Sequence, residues 1–521
     1  MNPDLPYPAR RMPVGADNLV ATSQPLAAQA GVDALRRGGN AADAALAAAI
    51  TLTVVEPTSN GIGSDAFALV HDGKKLYGLN ASGRAPQGWS EDYFSAYDDM
   101  PLFGWDAVTV PGAVSAWVAV SERFGKLPFE TLFEHAVRYA REGFIVGTRT
   151  AWHWQHDPVA HYQDYPDFAA HFLPAPGAGA RARLPDAATT LEEIASTRGE
   201  SFYRGRLAER IADAAASSGA VLSLDDLNAH RCDWVEPIGQ RYRDVTLHEI
   251  PPNGQGLAAL IALGILAHFE PPPLDSADSV HLQIEAMKIA LRAAADHIAD
   301  VDTMRLTPAE LLDVTSLAKT AAGISNRAAP LPPASLPASA DTVYLTAADQ
   351  SGMMVSFIQS NFYGFGSGIV IPGTGIAMQN RGAGFSLEPG HANVVAPGKH
   401  PFHTIIPAFL TRNGDAYASF GVMGGPMQAQ GHVQMVVRMV DHGQNPQAAS
   451  DAPRWQVMDD FSVLLEPGFP KTVADNLAGR GHDIKYAESE RPFGGAQLIV
   501  KTEAGYIGGS DHRKEGQVAG F

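Results

Sequence analysis

The first part of the chain alternates apolar runs of helical spacing with polar and glycine-rich breaks. Residues 27–37 repeat apolar positions every three or four residues and stop at Gly38-Gly39, which predicts a helix with a glycine C-cap. Asn40 is a good N-cap for a second, alanine-rich helix from Ala41 to about Thr53. A glycine-rich turn follows, and residues 66–79 are typical of a β-hairpin around Asp72-Gly73.

The pattern changes twice further along the chain. Residues from about 112 to 325 are mostly helical by periodicity, as in the stretches Ala208–Ala216 and Val280–Ile298. After Thr342, short β-type runs alternate with glycine turns, and one helix is predicted over roughly Gln428–His442. Helical and β-rich sections in this order predict an α+β fold in which helices cover sheets.

The junction Asp341-Thr342 joins two segments of opposite character. The preceding segment, Ala328–Asp341, holds four prolines and no aromatic residue, so it favours neither helix nor strand. Thr342–Ala348 and Met353–Ser360 predict two strands of a hairpin. Cleavage before Thr342 would leave a free amine beside the threonine hydroxyl, which is a known nucleophile–base pair. Taken alone, the junction fits an ordinary surface linker and hairpin better.

Composition excludes several function classes. The 521 residues are 45% hydrophobic and 18% charged, which suits one large or two intimately packed globular units. A formal net charge of -18 argues against nucleic acid or an anionic membrane as a partner. The single cysteine, Cys232, excludes an internal disulfide framework and a Cys-rich metal site. We find no signal-peptide core and no membrane-length apolar run, so a cytoplasmic protein is expected.

Several local motifs occur in a characteristic order and together resemble one family. They are Gly38-Gly-Asn-Ala-Ala-Asp43, Val54-Val-Glu-Pro57 with Ser59-Asn-Gly-Ile-Gly63, Val110-Pro-Gly112, Pro397-Gly-Lys-His-Pro401, Gly421-Val-Met-Gly-Gly425 and Asn445-Pro-Gln-Ala-Ala-Ser-Asp-Ala-Pro-Arg-Trp455. This set resembles the γ-glutamyltransferase family, also called glutathione hydrolases, within the N-terminal-nucleophile hydrolases. The resemblance extends from about residue 18 to the end of the chain.

The resemblance implies a precursor that cuts itself between Asp341 and Thr342. It would yield a large segment, 1–341, and a small segment, 342–521, intertwined in a four-layer αββα sandwich with Thr342 as nucleophile. The second Thr and the His of the family motif are replaced here by Val343 and Tyr344. By resemblance, backbone N–H groups of Gly424 and Gly425 would stabilise the oxyanion and Ser360 would hydrogen-bond the nucleophile. A solvent-facing strand serine is the alternative for Ser360.

The substrate pocket departs from that of glutamyl-specific relatives. Ser82 stands where they have an arginine for the substrate α-carboxylate, and Arg84, two residues on, is a candidate substitute. Arg381 lies in the segment that otherwise carries an acid for the substrate α-amine, and a cation there favours a carboxylate. His403-Thr404 replaces a Ser-Ser carboxylate clamp and retains donors for an anion.

We therefore expect a small anionic amide as substrate, with oxamate as the leading candidate and no cofactor or metal. Glutathione hydrolysis and cephalosporin or glutaryl acylase activity remain alternatives. An assembly of two such large–small pairs is left open. Two other classes are weighed: a non-catalytic homologue, and a metal hydrolase built on the histidines 391, 400, 403, 432 and 442. The metal hydrolase is disfavoured because the His400-x-x-His403 pair lacks the glutamate and helix of a zinc motif.

Two further enzyme classes are not supported by motifs. The run Gly364-x-Gly366-x-Gly368 lacks dinucleotide-site spacing and does not open a helix. The chain also lacks a Gly-x-Ser-x-Gly nucleophile elbow, which excludes a serine hydrolase of that type.

Overall fold

A computed structural model describes residues 11–156, 159–332 and 341–521. Its strands are β1 Val14–Ala16, β2 Leu19–Thr22, β3 Asp65–His71, β4 Leu76–Ala81, β5 Phe144–Ile145, β6 Arg181–Ala182, β7 Asp233–Val235, β8 Ile238–Tyr242, β9 Val245–Glu249, β10 Asp341–Ala348, β11 Met354–Phe362, β12 Val370–Ile371, β13 Ile376–Ala377, β14 Ala408–Arg412, β15 Asp415–Met423, β16 Trp455–Val457, β17 Val463–Leu465, β18 Ile484–Tyr486, β19 Gly495–Lys501, β20 Tyr506–Ser510 and β21 Gln517–Gly520.

The helices are concentrated in the first two thirds of the chain. They are α1 Pro25–Arg36, α2 Ala41–Val55, α3 Ala113–Phe124, α4 Glu134–Glu142, α5 Thr148–His156, α6 Val159–Tyr162, α7 Pro166–Phe172, α8 Pro185–Thr197, α9 Glu200–Arg204, α10 Arg206–Ser217, α11 Leu224–Ala229, α12 Gly256–Leu266, α13 Ala277–His297, α14 Pro308–Leu311, α15 Val314–Gly323, α16 Met427–Val436, α17 Pro446–Asp451 and α18 Lys471–Gly479.

Two seven-stranded antiparallel sheets form the centre of the molecule. The first sheet has the order β21-β2-β10-β11-β3-β4-β7, and the second has the order β1-β20-β19-β15-β14-β9-β8. A core that includes Tyr344, Phe67 and Phe409 lies between the sheets. Larger cores join the first sheet to α2 and its neighbours and the second sheet to α12, α13 and α16. The order of layers is therefore helix, sheet, sheet, helix, and the predicted four-layer αββα sandwich is confirmed.

The sequence of α2 explains both where this helix begins and why it is buried. Asn40 caps it, because the Asn40 side chain accepts from the backbone N–H groups of Ala42 and Asp43 while Asp43 accepts from the Asn40 N–H. Every residue from Ala41 to Val55 is buried. A helix that is apolar on all sides must be enclosed, and its small alanines allow close approach to the first sheet.

Alternation along β10 decides which way Thr342 points. Val343 and Leu345 pack in the core on the helix side of the first sheet, whereas Tyr344 packs between the sheets. Side chains two apart share one face of a strand, so Thr342 belongs to the face turned toward the second sheet.

Most predicted elements are present. The predicted helices at 27–37 and 41–53 and the two hairpins are confirmed. The middle is mostly helical, but it also contributes the hairpin β8–β9, which lies at one edge of the second sheet and was not predicted. Most of the proline-rich tail, residues 333–340, lies outside the described residues.

Candidate active site

Three neighbouring strands of the first sheet place polar side chains at one end of the space between the sheets. Ser360 on β11 pairs directly with Asp65 on β3. Asp341 pairs with Phe362 and Val343 pairs with Gln359, so the register shifts by one residue opposite Thr342. The register in which Val343 pairs with Gln359 continues by one step to set Ser360 opposite Thr342, and the extra residue of the irregularity lies just beyond Ser360 on β11.

Thr342 is completely buried and held from two directions. Its Oγ1 lies 3.2 Å from Ser360 Oγ, and Nε2 of Gln428 lies 3.5 Å from the same oxygen. Ser360 Oγ also accepts from the backbone N–H of Phe362 at 2.8 Å. The predicted Thr342–Ser360 contact is therefore present, while a catalytic part for Ser360 stays a prediction.

Gly424 and Gly425 form the turn between β15 and α16. Both have positive φ angles, 116° and 58°, which favours glycine at each position. A Cβ on Gly424 would also lie 3.0 Å from the Cα of Gly494. Gln428, in the first turn of α16, donates its backbone N–H to Gly425 O and extends its side chain to Thr342. This connects the glycine turn to the nucleophile, and an oxyanion-binding role for the glycines remains a prediction.

Gln428 was not predicted from the sequence. The available signal was a polar residue three positions after Gly425, at the start of a predicted helix. In the structure all ten residues of that helix, α16, are buried. A buried amide requires partners, and Gln428 finds them in Thr342 and in the backbone N–H of Ile406, from which its Oε1 accepts at 3.0 Å.

Arg381 is a fully buried cation. Its Nη1 donates to Thr404 Oγ1 at 3.0 Å, and its guanidinium lies over the ring of Phe362 at 5.1 Å. Its Nε and Nη2 are buried without a hydrogen-bond partner among the described residues. Burial lowers the pKa of Arg381 to about 9, and the charge of Asp65 opposes this shift. The side chain is therefore still charged at neutral pH, with two donors available for an anion.

His403 and Asp65 form a buried pair beside Arg381. His403 Nε2 lies 2.9 Å from Asp65 Oδ2, and neither side chain is exposed. Asp65 Oδ1 accepts from the backbone N–H of Gly112 at 2.9 Å. Asp65 was not identified from sequence, although it ends the glycine-rich run that starts at Ser59. Nothing along the chain indicates its pairing with a histidine 338 positions away.

Ser82 and Arg84 occupy different environments. Ser82 is buried, and its hydroxyl donates to Asn80 Oδ1 at 2.7 Å and accepts from Asn253 Nδ2 at 3.2 Å. The Arg84 side chain is 47% exposed, and its Nη1 donates to Gly398 O at 3.0 Å and lies 3.5 Å from Asp300. The structure thus groups Arg381, His403 and Thr404, whereas Arg84 makes its contacts at the surface.

The histidines considered as metal ligands do not converge on one site, because four of them contact different partners. His400 contacts Asp300, His403 contacts Asp65, His432 contacts Glu249, and His391 contacts the Ala295 carbonyl. Within the described ranges, metal-like spacing occurs instead at His281, Glu285 and His482. Lys288 Nζ lies 3.2 Å from both Glu285 Oε1 and His482 Nδ1, so an ammonium already supplies the positive charge there.

Buried histidines predict how fold stability depends on pH. Burial, together with Arg381 in the case of His403, lowers the pKa values of His403 and His432 to about 4 and about 3. The unfolded chain therefore binds protons first as pH falls, and stability present above pH ~6.5 is lost below it, by about 1.4 kcal/mol per pH unit for each histidine. The pKa of His512 is instead raised to about 9, because hydrogen bonds to Asp451 and Glu490 outweigh its burial.

The stability contributed by His512 is present below its unfolded pKa and is lost as pH rises toward 9. We expect the thermal unfolding midpoint to be highest near pH 6.5–7. A pH series of calorimetric scans from pH 5 to 9 checks this. A midpoint that rises continuously down to pH 5 would contradict it.

The whole arrangement can be compared with known proteins. A profile of the family described as Gamma-glutamyltranspeptidase matches residues 27–521. The chain belongs to this family. Its members are N-terminal-nucleophile hydrolases and transpeptidases, which supports a hydrolase activity.

Individual relatives carry several different names. The oxamate amidohydrolase proenzyme of Klebsiella pneumoniae is 35% identical over 526 residues, covering 98% of this chain and 99% of the relative. The glutathione hydrolase-like YwrD proenzyme of Bacillus subtilis is 33% identical over 522 residues, with coverage of 98% and 99%. A crystal structure of cephalosporin acylase from Bacillus halodurans has a TM-score of 0.95 and 45% identity, covering 100% of this chain and 99% of the other.

These similarities confirm the family and the fold that the motifs predicted. The relatives are proenzymes, and their names span amidohydrolase, acylase and glutathione hydrolase, so family membership leaves the substrate undetermined. Among the described residues, the helices are too short or too polar to cross a membrane.

Proposed function

We propose that this chain is a self-processing amidohydrolase that uses Thr342 as nucleophile and acts on a small amide bearing a carboxylate. The observation that carries the proposal is the position of Thr342 at the start of β10, in contact with Ser360 and Gln428. Arg381 is buried next to Phe362, and its Nε and Nη2 have no hydrogen-bond partner among the described residues, which supports the anionic substrate.

Maturation would begin with attack by Thr342 Oγ1 on the carbonyl carbon of Asp341. The C–N bond of the junction breaks, the acyl group passes to oxygen, and the nitrogen takes the hydroxyl proton to become the α-amine. Water then hydrolyses the ester, which leaves the Asp341 carboxylate and a free Thr342 hydroxyl. The products are segments 1–341 and 342–521.

The two segments are expected to stay together because both sheets draw strands from each. In the first sheet, β10 pairs with β2 on one side and β11 on the other, and β11 pairs with β3. In the second sheet, β14 pairs with β9. Separation would expose the three cores and break these ladders, so a tight large–small pair is the proposed mature form.

Turnover would repeat the chemistry on the substrate. An α-amine has an ordinary pKa of about 7.7–8.0, so it can take the Thr342 hydroxyl proton near neutral pH. The hydroxyl oxygen attacks the amide carbonyl, and the oxyanion is stabilised by donors of the Gly424-Gly425 turn. The amine passes its proton to the leaving nitrogen, an acyl-enzyme remains, and water releases the acid.

The carboxylate of the substrate is assigned to Arg381 and Thr404. Arg381 Nε and Nη2 are donors in a site without solvent exposure, where a charged hydrogen bond is strong. Oxamate fits this arrangement because it has a carboxylate adjacent to a primary amide. A cationic Arg381 disfavours the α-ammonium of a γ-glutamyl group at the same place.

An acylase for a larger anionic amide is the second candidate. The observation in its favour is the 45% identity to the structure named cephalosporin acylase, over essentially both chains. The two candidates differ in the acyl group and share the nucleophile and the anion site.

Parallel assays of the matured enzyme test the proposal. We expect ammonia release from oxamate to exceed cleavage of a γ-glutamyl anilide and of a glutaryl anilide by at least about 100-fold in kcat/KM. Dominant glutaryl turnover would select the acylase. Dominant γ-glutamyl turnover would overturn the assignment of Arg381 to a carboxylate without an adjacent ammonium.

A further inference from the structure

The buried His403–Asp65 pair defines the hydrogen-bonding character of the second ring nitrogen of His403. A carboxylate accepts hydrogen bonds, so the contact between Nε2 and Asp65 Oδ2 at 2.9 Å places the proton on Nε2. Burial and the nearby charge of Arg381 lower the pKa of His403 to about 4, so the ring is neutral at pH 7. Nδ1 is then a hydrogen-bond acceptor. This differs from the sequence-based expectation that His403 donates to an anion.

Nδ1 of His403 is buried without a hydrogen-bond partner in the described part of the chain. The same holds for Nε and Nη2 of Arg381. Arg381 Nη1 donates a hydrogen bond to Thr404, the residue next to His403. The carboxylate of Asp65 acts on the pKa of both Arg381 and His403, raising each against the effect of burial. Leaving buried polar atoms unpaired is costly, so a cluster of them indicates a ligand that pairs with all. Here the ligand would meet two donors beside one acceptor.

We propose that His403 Nδ1 accepts a hydrogen bond from the amide N–H of the substrate, with Asp65 as the residue that sets the required tautomer. This contact rests on the function proposed above, and it narrows the substrate class to a short primary amide whose carboxylate is attached directly to the amide carbon. Such a molecule presents carboxylate oxygens and an N–H group side by side. It complements Arg381 Nε and Nη2, which have no partner in the part of the chain that the structure describes, and the acceptor of His403.

An α-ammonium beside a carboxylate would offer the same N–H chemistry. Arg381 disfavours it because like charges in a buried site repel strongly, whereas a neutral amide carries no such cost. In this arrangement His403 touches the substrate and holds the leaving nitrogen in place. It transfers no proton, since its only proton is engaged with Asp65.

Asp65→Asn tests the tautomer directly. The asparagine amide can donate a hydrogen bond to Nε2, and the ring proton then lies on Nδ1. The nitrogen that faces the substrate therefore changes from an acceptor to a donor. We expect kcat/KM for oxamate to fall about 100-fold or more, while kcat/KM for monoethyl oxalate, an ester without N–H, changes less than about threefold. The amide-to-ester ratio is the readout, because a general structural defect lowers both reactions together.

The matched control changes the other buried histidine–carboxylate pair. His432 Nδ1 lies 2.7 Å from Glu249 Oε1, and both are fully buried. Glu249→Gln should leave the amide-to-ester ratio unchanged. A ratio that is equal in wild type and Asp65→Asn, or that shifts equally in Glu249→Gln, would overturn the inference.

Substrate analogues give the same test without a variant. Wild-type enzyme should hydrolyse N,N-dimethyloxamate about 100-fold less efficiently than N-methyloxamate, since only the latter retains an N–H. Equal rates overturn the role of His403, whereas ester hydrolysis and cleavage before Thr342 would persist in that case. If an α-amino substrate is preferred over oxamate, His403 Nδ1 binds an ammonium group and the inferred contact with an amide N–H is wrong. Loss of both ester turnover and self-cleavage in wild type would overturn the proposed function itself.

Discussion

Purified Thr342→Ala protein is expected to remain one chain of 521 residues after long incubation at neutral pH. The variant lacks the hydroxyl that lies 3.2 Å from Ser360 Oγ, so neither the Asp341–Thr342 bond nor a substrate amide can be attacked. Loss of a nucleophile that acts through a covalent intermediate lowers kcat by about a million-fold. Intact-mass spectrometry and an ammonia-release assay measure the two effects on one sample.

Two variants make this result specific. Thr346→Ala removes another buried hydroxyl on the same face of β10, one that contacts Ser419, and should still yield pieces ending at Asp341 and starting at Thr342. Thr342→Ser restores a hydroxyl and should process, though more slowly. Cleavage of Thr342→Ala at the same bond would remove Thr342 from the mechanism.

Arg381→Met should abolish most of the preference for a carboxylate. A thioether of similar length keeps the contact with Phe362 but has no donors for the anion. Truncating one partner of a buried, charged hydrogen bond costs about 2–5 kcal/mol, or about 30-fold to several thousand-fold in kcat/KM. We expect this loss for oxamate and little change for oxamide, in which a neutral amide replaces the carboxylate.

The control for Arg381 is the other arginine that the sequence suggested. Arg84 is half-exposed and pairs with Asp300 and Gly398, so Arg84→Met should change kcat/KM for oxamate by less than about threefold. A larger effect at Arg84 than at Arg381 would reverse the assignment of the anion site. Equal losses on oxamate and oxamide in Arg381→Met would make Arg381 a structural residue.

Local signals were sufficient where the elements are short-range. Asn40 caps α2, Gly38 ends the preceding helix, and the turn at Asp349–Gly352 joins β10 to β11, as expected from residues that lie within a few positions of each other. The hairpin of β8 and β9 was missed because its strands are only five residues each and lie inside a region of strong helical periodicity. The edge strand β8 also alternates exposed with partly buried positions, which is a weak strand signal.

The candidate site was predicted unevenly for a related reason. Thr342 and the Gly424-Gly425 turn belong to continuous motifs, so order along the chain identified them. Asp65 and Gln428 act through contacts that span hundreds or tens of positions, and the same residue types are common elsewhere in the chain. The contacts of Asp65 and Gln428 in the site can be seen only once the two sheets are packed together.

By itself, the sequence determined an α+β chain of the γ-glutamyltranspeptidase family, with a strand predicted from Thr342 that the structure begins one residue earlier. These properties depend on periodicity, turn chemistry and motif order, which can be read from residues close together in the sequence. Only the tertiary structure decided that Arg381 is buried with two nitrogens that lack a partner among the described residues, and that His403 presents an acceptor beside it. The physical reason is that both properties depend on the environment of each side chain. Arg381 and His403 become buried, and Asp65 comes into contact with His403, only when the two sheets pack against each other.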